Sequence, residues 1–232
     1  MKLALLGYGK MGKTIETLAT EKGHEIVYKK GSDFEEGSLA NAQAAIEFSI
    51  PEAAVANIKM CLDNHIPVVS GTTGWLSAYA EMEKLCETRN GSFIYASNFS
   101  VGVNLFFSIN DYAAKLLAPW KEYSVSIEEI HHTQKKDAPS GTAISIAEGI
   151  IKHSDKKSWS MDTVSEATIP IEAKREGTIK GTHTVSYVSE IDTISLKHQA
   201  HTRDGFAKGA ILAAEWLVNK KGVFTMKNVL GI

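Results

Sequence analysis

The chain opens MKLALLGYGKMGKTIETLATEKGHEIVYKK (residues 1–30), and this stretch decides the fold. Lys2–Leu6 is a short apolar run that reads as a strand. Gly7, Tyr8, Gly9, Lys10, Met11 and Gly12 follow with G-x-G-x-x-G spacing. Ile15, Leu18 and Ala19 then recur at helical intervals up to Lys22, Gly23 is a helix stop, and residues 24–28 read as a second strand. Alone, that glycine spacing is a weak pattern, but a strand directly before it and a helix directly after it supply the confirming context. Gly7 permits the tight turn, Gly9 lets backbone approach a pyrophosphate, and Gly12 lets helix and strand pack closely. Free N–H groups at the helix start face the anion.

The alternation continues outward. Residues 44–49, 67–70 and 92–96 read as strands. A helix opened by Pro51 runs to about Asn64, and another spans residues 76–89. Strands alternating with helices predict an α/β fold, a Rossmann-type doubly wound parallel sheet covered on both faces. Gly71-Thr72-Thr73-Gly74 and Ala96-Ser97-Asn98-Phe99-Ser100 then fall at the carboxyl ends of the fourth and fifth strands, where such sheets bind ligands. Asn98 offers the donor and acceptor that a carboxamide needs. The second strand ends Tyr28-Lys29-Lys30, with no carboxylate before Asp33. Two cations there suit a 2′-phosphate better than a ribose diol, which favours NADPH or at least admits it.

The second half reads differently, as an α+β unit with an antiparallel or mixed sheet. Val101–Leu117 is a helix with Leu105, Ile109, Tyr112, Ala113 and Leu116 on one face, ended by Pro119. Residues 123–131 alternate, placing Tyr123, Val125, Ile127, Glu129 and His131 on one side of a strand. A helix follows from about Ser140 to His153. Residues 154–172 are polar and read as an irregular, mobile loop. Residues 178–189 and 192–200 read as adjacent antiparallel strands, and residues 205–219 as a last helix. The expected organisation is a dinucleotide-binding domain of residues 1–101 and 206–232, and a substrate-binding and oligomerisation domain of residues 102–205. Hinges are expected near residues 100–102 and 205–207.

A composition of 44% hydrophobic and 22% charged residues is that of an ordinary globular protein. A formal net charge of -2 gives no bulk attraction to nucleic acid or anionic membrane. Cys61 and Cys86 form no CxxC pair and read as small apolar fillers of a reduced protein. The opening apolar run is too short for a signal peptide, and no run is long enough to cross a membrane, so the expected location is cytoplasmic.

Residues 127–149, IEEIHHTQKKDAPSGTAISIAEG, crowd the chemistry. A metal is disfavoured: His131 and His132 are neighbours on a strand and point to opposite faces, and no HExxH or cysteine cluster supports zinc. His131 shares its face with Glu129, which can orient the imidazole or raise its pKa. Lys135 follows past the strand end, placed to converge with His131 on one ligand. Pro139 breaks the chain, Ser140 is a natural N-cap, and Gly141 and Thr142 begin a helix with unpaired N–H groups. A histidine, a lysine and an anion cradle suit a small carboxylated substrate that must receive a proton.

These residues give the chain a close, end-to-end resemblance to the dihydrodipicolinate (4-hydroxy-tetrahydrodipicolinate) reductase family. It is carried by the glycine turn, Gly71–Gly74, Ala96-Ser97-Asn98-Phe99-Ser100-x-Gly102-Val103-Asn104, and Glu129-x-His131-His132-x-x-Lys135-x-Asp137-Ala138-Pro139-Ser140-Gly141-Thr142-Ala143. Arg175-x-Gly177-x-x-x-Gly181-x-His183 and Phe206-Ala207-x-Gly209-Ala210 continue it. The resemblance implies NADPH- or NADH-dependent reduction of a cyclic dicarboxylate in diaminopimelate and lysine biosynthesis, by a homotetramer built through the second sheet. It implies that His131 and Lys135 handle protons and that His132, Ser140, Gly141 and Thr142 bind substrate. It assigns cofactor contacts to Gly7, Tyr8, Gly9, Lys10, Met11, Gly12, Lys29, Lys30, Phe48, Gly71, Thr72, Thr73, Ala96, Ser97, Asn98 and Phe99, and places Arg203 near a position that approaches the cofactor. Lys29-Lys30 departs from the acidic-basic pair of some members, which leaves nucleotide preference open.

Overall fold

The computed structural model describes residues 1–163 and 165–232. The chain runs β1 (Lys2–Leu6), α1 (Lys10–Glu21), β2 (Glu25–Lys30), β3 (Glu35–Gly37), β4 (Ala44–Glu47), α2 (Pro51–Asp63), β5 (Val68–Ser70), α3 (Tyr79–Thr88) and β6 (Ser92–Tyr95). It continues α4 (Val101–Leu117), β7 (Ser124–His131), α5 (Gly141–Ile151), β8 (Ser158–Ser160), β9 (Thr168–Arg175), β10 (Thr182–Val188) and β11 (Thr193–Gln199). It closes with α6 (Asp204–Leu217), β12 (Gly222–Phe224) and α7 (Met226–Leu230). Two compact units result, Met1–Val101 with Asp204–Ile232, and Gly102–Arg203.

The first unit is a seven-stranded sheet in the order β12-β6-β5-β4-β1-β2-β3, parallel except for β3. Its inner strands are apolar along their length because both faces are covered, and alternate side chains enter different cores. Leu3 and Leu5 pack with Ile46, Val69 and Ile94 against Ile15 of α1 and the small-residue face of α6. Ala4 and Leu6 pack with Val68 and Phe93 against Ile58 and Leu62 of α2 and Met82 of α3. Cys61 and Cys86 fill space in this second core, and burial pushes their thiols up to about 12 and about 11.

The second unit is a five-stranded mixed sheet in the order β11-β10-β7-β9-β8. β10 is antiparallel to both β7 and β11, whereas β9 is parallel to β7. One face carries Val125, Ile127, Ile169, Ile171, Val185 and Tyr187 and is covered by Phe106 and Ala114 of α4 and Ile146, Ala147 and Ile150 of α5.

Three expectations are corrected. The stretch 154–172 is not one irregular loop: it contains β8 and most of β9, whose Ile169 and Ile171 are buried (Val164 lies outside the described residues). α4 turns Val103, Phe106, Asn110 and Ala114 inward and leaves Leu105, Ile109, Tyr112 and Leu116 exposed, so the core face is not the one the apolar spacing suggested. Leu76 belongs to a separate 3₁₀ turn, Leu76–Ala78, and α3 begins only at Tyr79.

Candidate active site

In the first unit the glycine turn connects β1 to α1, with Gly9 as the N-cap residue. Gly7 has φ +95°, and a Cβ there would lie 2.1 Å from the Phe48 carbonyl oxygen. A Cβ on Gly12 would lie 2.2 Å from the Gly7 carbonyl oxygen. Both glycines are therefore demanded by the close approach of backbone within the unit. At Gly9 a Cβ would meet nothing within 4 Å. Its glycine is not required by the protein itself, which fits a residue kept small for a ligand. Lys10 and Gly9 are exposed, and Met11 and Tyr8 are half-buried. These residues fit a pyrophosphate at the start of α1.

At the end of β2 the structure adds acidic residues that the sequence reading passed over. Lys29 is 3.5 Å from Glu16 of α1 and 3.3 Å from Glu36 of β3, and its ammonium stands 5.3 Å from the centre of the Tyr8 ring. The Tyr8 hydroxyl donates to Glu16, and its ring meets Phe34 edge-on. Lys29 is thus largely neutralised in place, whereas Lys30 forms no ion pair among the described residues.

The loops at the other strand ends are arranged by a second unanticipated residue. Glu47, fully buried at the end of β4, accepts hydrogen bonds from Ser70 Oγ at 2.6 Å, Thr72 Oγ1 at 2.9 Å and the Ser49 N–H at 3.0 Å. Thr72 Oγ1 also accepts from the Ser49 N–H, so its hydroxyl is committed inside the protein, while Thr73 is exposed. Phe48 packs on Phe99, with ring centres 5.8 Å apart. Phe99 is in the core with its side chain turned inward, so only its backbone is offered at that edge. Asn98 closes the following turn by accepting from the Ser100 N–H at 2.9 Å, and Ser97 is exposed beside Ala96.

In the second unit the strand alternation puts Glu129 and His131 on the buried face of β7, and the antiparallel register sets His183 of β10 directly opposite Glu129. Glu129 is fully buried. Its carboxylate accepts from the Ser140 N–H at 3.1 and 3.0 Å and from Arg175 Nη2 at 3.1 Å, and one oxygen lies 3.6 Å from both His131 Nδ1 and His183 Nε2. Burial pushes this carboxyl up, but His183 3.6 Å away and hydrogen bonds from Ser140 and Arg175 outweigh it and hold the group at about 2, so Glu129 is an anion throughout the working range. Burial lowers His131 to about 4; Glu129 opposes this, and the charges of His183, Lys135 and Arg175 add to it. Glu129 therefore orients His131, but the expected net rise in its pKa is reversed. A Cβ on Gly181, which has φ +150°, would lie 3.1 Å from His131 Nε2, so this glycine keeps the far side of the ring clear.

Ser140 is the N-cap of α5, accepting from the Ala143 N–H at 3.2 Å, and its hydroxyl is 3.1 Å from His183 Nε2. With its own N–H given to Glu129, Ser140 is consumed in building the helix start. Gly141 and Thr142 carry the first-turn N–H groups that have no helical partner. His132 Nε2 accepts from Arg203 Nη2 at 2.7 Å, in a groove of about 280 Å³ that Lys180 and Gly177 also line. This cationic groove was not visible in the sequence. Lys135 is gripped by both oxygens of Asp137, at 2.8 and 2.7 Å, and Arg175 also donates to the Asp137 carbonyl at 2.6 Å. Glu129, His131 and His183 have ligand atoms within 4.8 Å of one another, a spacing a metal ion could bridge. Arg175 and the Ser140 N–H already engage that carboxylate, so its environment is built for cations and donors of the protein's own.

Comparison with known proteins decides between readings of this arrangement. Residues 1–99 match the family description "Dihydrodipicolinate reductase, N-terminus", and residues 102–230 match "Dihydrodipicolinate reductase, C-terminus". The chain belongs to the dihydrodipicolinate reductase family. It is 52% identical to a 4-hydroxy-tetrahydrodipicolinate reductase of Christiangramia forsetii, over 99% of this chain and 98% of that one. Among solved structures, a dipicolinate-bound dihydrodipicolinate reductase from a Paenisporosarcina species shares the fold with TM-score 0.78 at 22% identity, covering 97% of each chain. An aspartate dehydrogenase of Thermotoga maritima reaches TM-score 0.50 at 15% identity over 97% of this chain and 99% of that one, a likeness of fold only. Among the described residues no helix is long and apolar enough to cross a membrane.

Proposed function

We propose that this chain reduces 4-hydroxy-tetrahydrodipicolinate to tetrahydrodipicolinate with NADPH or NADH, and that His131 and Lys135 handle the proton. The balance is one hydride and one proton taken up and one water lost. The nicotinamide supplies the hydride when bound. The observation that supports the reading is the coincidence, in one unit of a family member, of a buried imidazole facing a carboxylate, a lysine and a Ser140-capped helix start whose Gly141 and Thr142 N–H groups have no helical partner. The free N–H groups of Gly141 and Thr142 receive one substrate carboxylate. His132, with Arg203 and Lys180 beside it, suits the second. His131 and Lys135 offset the charge that builds as hydride arrives and deliver the proton.

The exposed edge strand β11, with Ile194 turned to solvent and Ile191 exposed in the turn before it, suits assembly through the second sheet, and a cytoplasmic homotetramer is the reading we adopt. A nucleotide sensor without turnover would leave the His-Lys cluster idle. An aspartate dehydrogenase-like activity is disfavoured by the family match. The test is to follow NADPH or NADH absorbance with substrate made in place from pyruvate and aspartate semialdehyde by the preceding synthase. Oxidation is expected. His131→Gln and Lys135→Ala should each lower kcat by about 10²–10⁴-fold with little change in nucleotide KM. Near-normal kcat removes that residue from the mechanism.

A further inference from the structure

Two buried imidazoles meet one carboxylate in the second unit, and only one of them has a role so far. The ring centres of His131 and His183 are 5.1 Å apart in an edge-on arrangement, and both approach the same oxygen of Glu129 to 3.6 Å. The other oxygen is shared with Arg175. Glu129 thus brings one negative charge, already partly balanced by a guanidinium that does not lose its proton. Like charges this close disfavour one another strongly away from water. The Glu129 anion beside His183 Nε2 favours the tautomer with its proton there, so His183 donates to Ser140 Oγ while the Ser140 hydroxyl turns to Glu129. His183 Nδ1 and His131 Nδ1 are buried without hydrogen-bond partners, so nothing else fixes the second proton of either ring.

We propose that His131 and His183 share Glu129 as a single counter-charge, hold one proton between them, and that His183 is a positioning residue that governs when His131 carries it. The groups facing the pair come from every element around it. His131 is faced by Glu129 on its own strand, Lys135 beyond it, Arg175 of β9 and His183 of β10. His183 is faced by Glu129, His131, Ser140 of α5 and His198 of β11. Only Glu129 is negative in this set. The proton needed for reduction is therefore rationed by a neighbour that faces the same counter-charge as His131.

This rests on the reading of His131 as the proton-handling group, and the experiment separates the two. In the unaltered protein, ring ¹⁵N shifts of His131 and His183 followed against pH should show one proton shared over the range where two independent histidines take two. Full, independent titration of both overturns the proposal, whatever the enzyme turns over. In kinetics, His183→Gln should move the pH limb of kcat that His131→Gln abolishes upward by about one pH unit, because a competing cation is gone. Nucleotide KM should stay within about twofold, since the nucleotide site lies in the other unit. In a His131→Gln background the second substitution should shift nothing. A lower kcat with an unshifted limb means a merely structural role for His183 and overturns the proposal. Coupled titration without any reduction would instead sink the functional reading and leave the pairing standing.

Discussion

A histidine held neutral by burial should be visible in stability as well as in catalysis. His131 is depressed from 6.5 to about 4, chiefly by burial. Between those values the unfolded chain binds a proton at this position and the folded chain does not, so stability rises with pH across the window. At pH 8 the term is absent. At pH 5 the unfolded histidine is almost fully protonated and the folded one almost fully neutral, which costs the native state about 2 kcal/mol. His131→Gln removes the titration. The variant loses packing at every pH, but relative to the unaltered protein it should recover about 2 kcal/mol between pH 8 and pH 5. Glu129 itself, held at about 2, does not titrate in this range. Urea denaturation of both proteins at pH 8, 6.5 and 5 measures the gap. If it is the same at pH 8 and pH 5, His131 is not held neutral and the account of the buried cluster is wrong.

Three further outcomes follow from other parts of the molecule. Lys30→Ala should raise KM for NADPH several-fold more than KM for NADH, while Lys29→Ala, whose charge is already met by Glu16 and Glu36, should discriminate less; equal losses for both nucleotides in the Lys30 variant count against a phosphate role. Gly9→Ala should leave the thermal midpoint within a degree or two and weaken nucleotide binding in calorimetry, whereas Gly12→Ala, whose Cβ would strike the Gly7 carbonyl, should destabilise the fold by about 1–3 kcal/mol or more. Native protein at pH 8 should react with a thiol reagent far more slowly than the urea-unfolded chain, because Cys61 and Cys86 are buried with thiols raised to about 12 and about 11; rapid native labelling would contradict that burial.

The doubly wound half was legible because its signals agree: apolar strands, the glycine turn, Pro51 at a helix start. What escaped lacked an apolar signal. β3 is Glu-Glu-Gly, wholly exposed and held only by pairing with β2. β9 contains Pro170, which argues against a strand, yet its Ile169 and Ile171 complete the second core. α4 is apolar around most of its circumference, so spacing alone could not choose between two faces. In the site, Glu129 and His131 were readable together because strand alternation is local. His183 and Arg175 reach them only through the pairing of β10 and β9 with β7, a long-range register no short motif encodes. Glu47 carries no local signal, and its hydrogen bonds from the Ser49 N–H and the Ser70 and Thr72 hydroxyls appear only in the folded unit.

The sheet of the first unit is finished by residues from the far end of the chain. α6 supplies Ala207, Ala210, Ile211, Ala213, Ala214 and Leu217 to its core, and β12 adds the outer strand beside β6. During synthesis, residues 1–101 therefore emerge with one face of their sheet covered only by α1, before residues 102–203, whose core is self-contained, are made. The ribosome thus delivers the inserted unit in a form able to fold before the unit that encloses it in sequence. A chain cut short after Arg203 would keep the whole polar cluster of β7 while exposing one core of the nucleotide sheet, making premature termination or C-terminal nicking a route to aggregation rather than to a half-active enzyme.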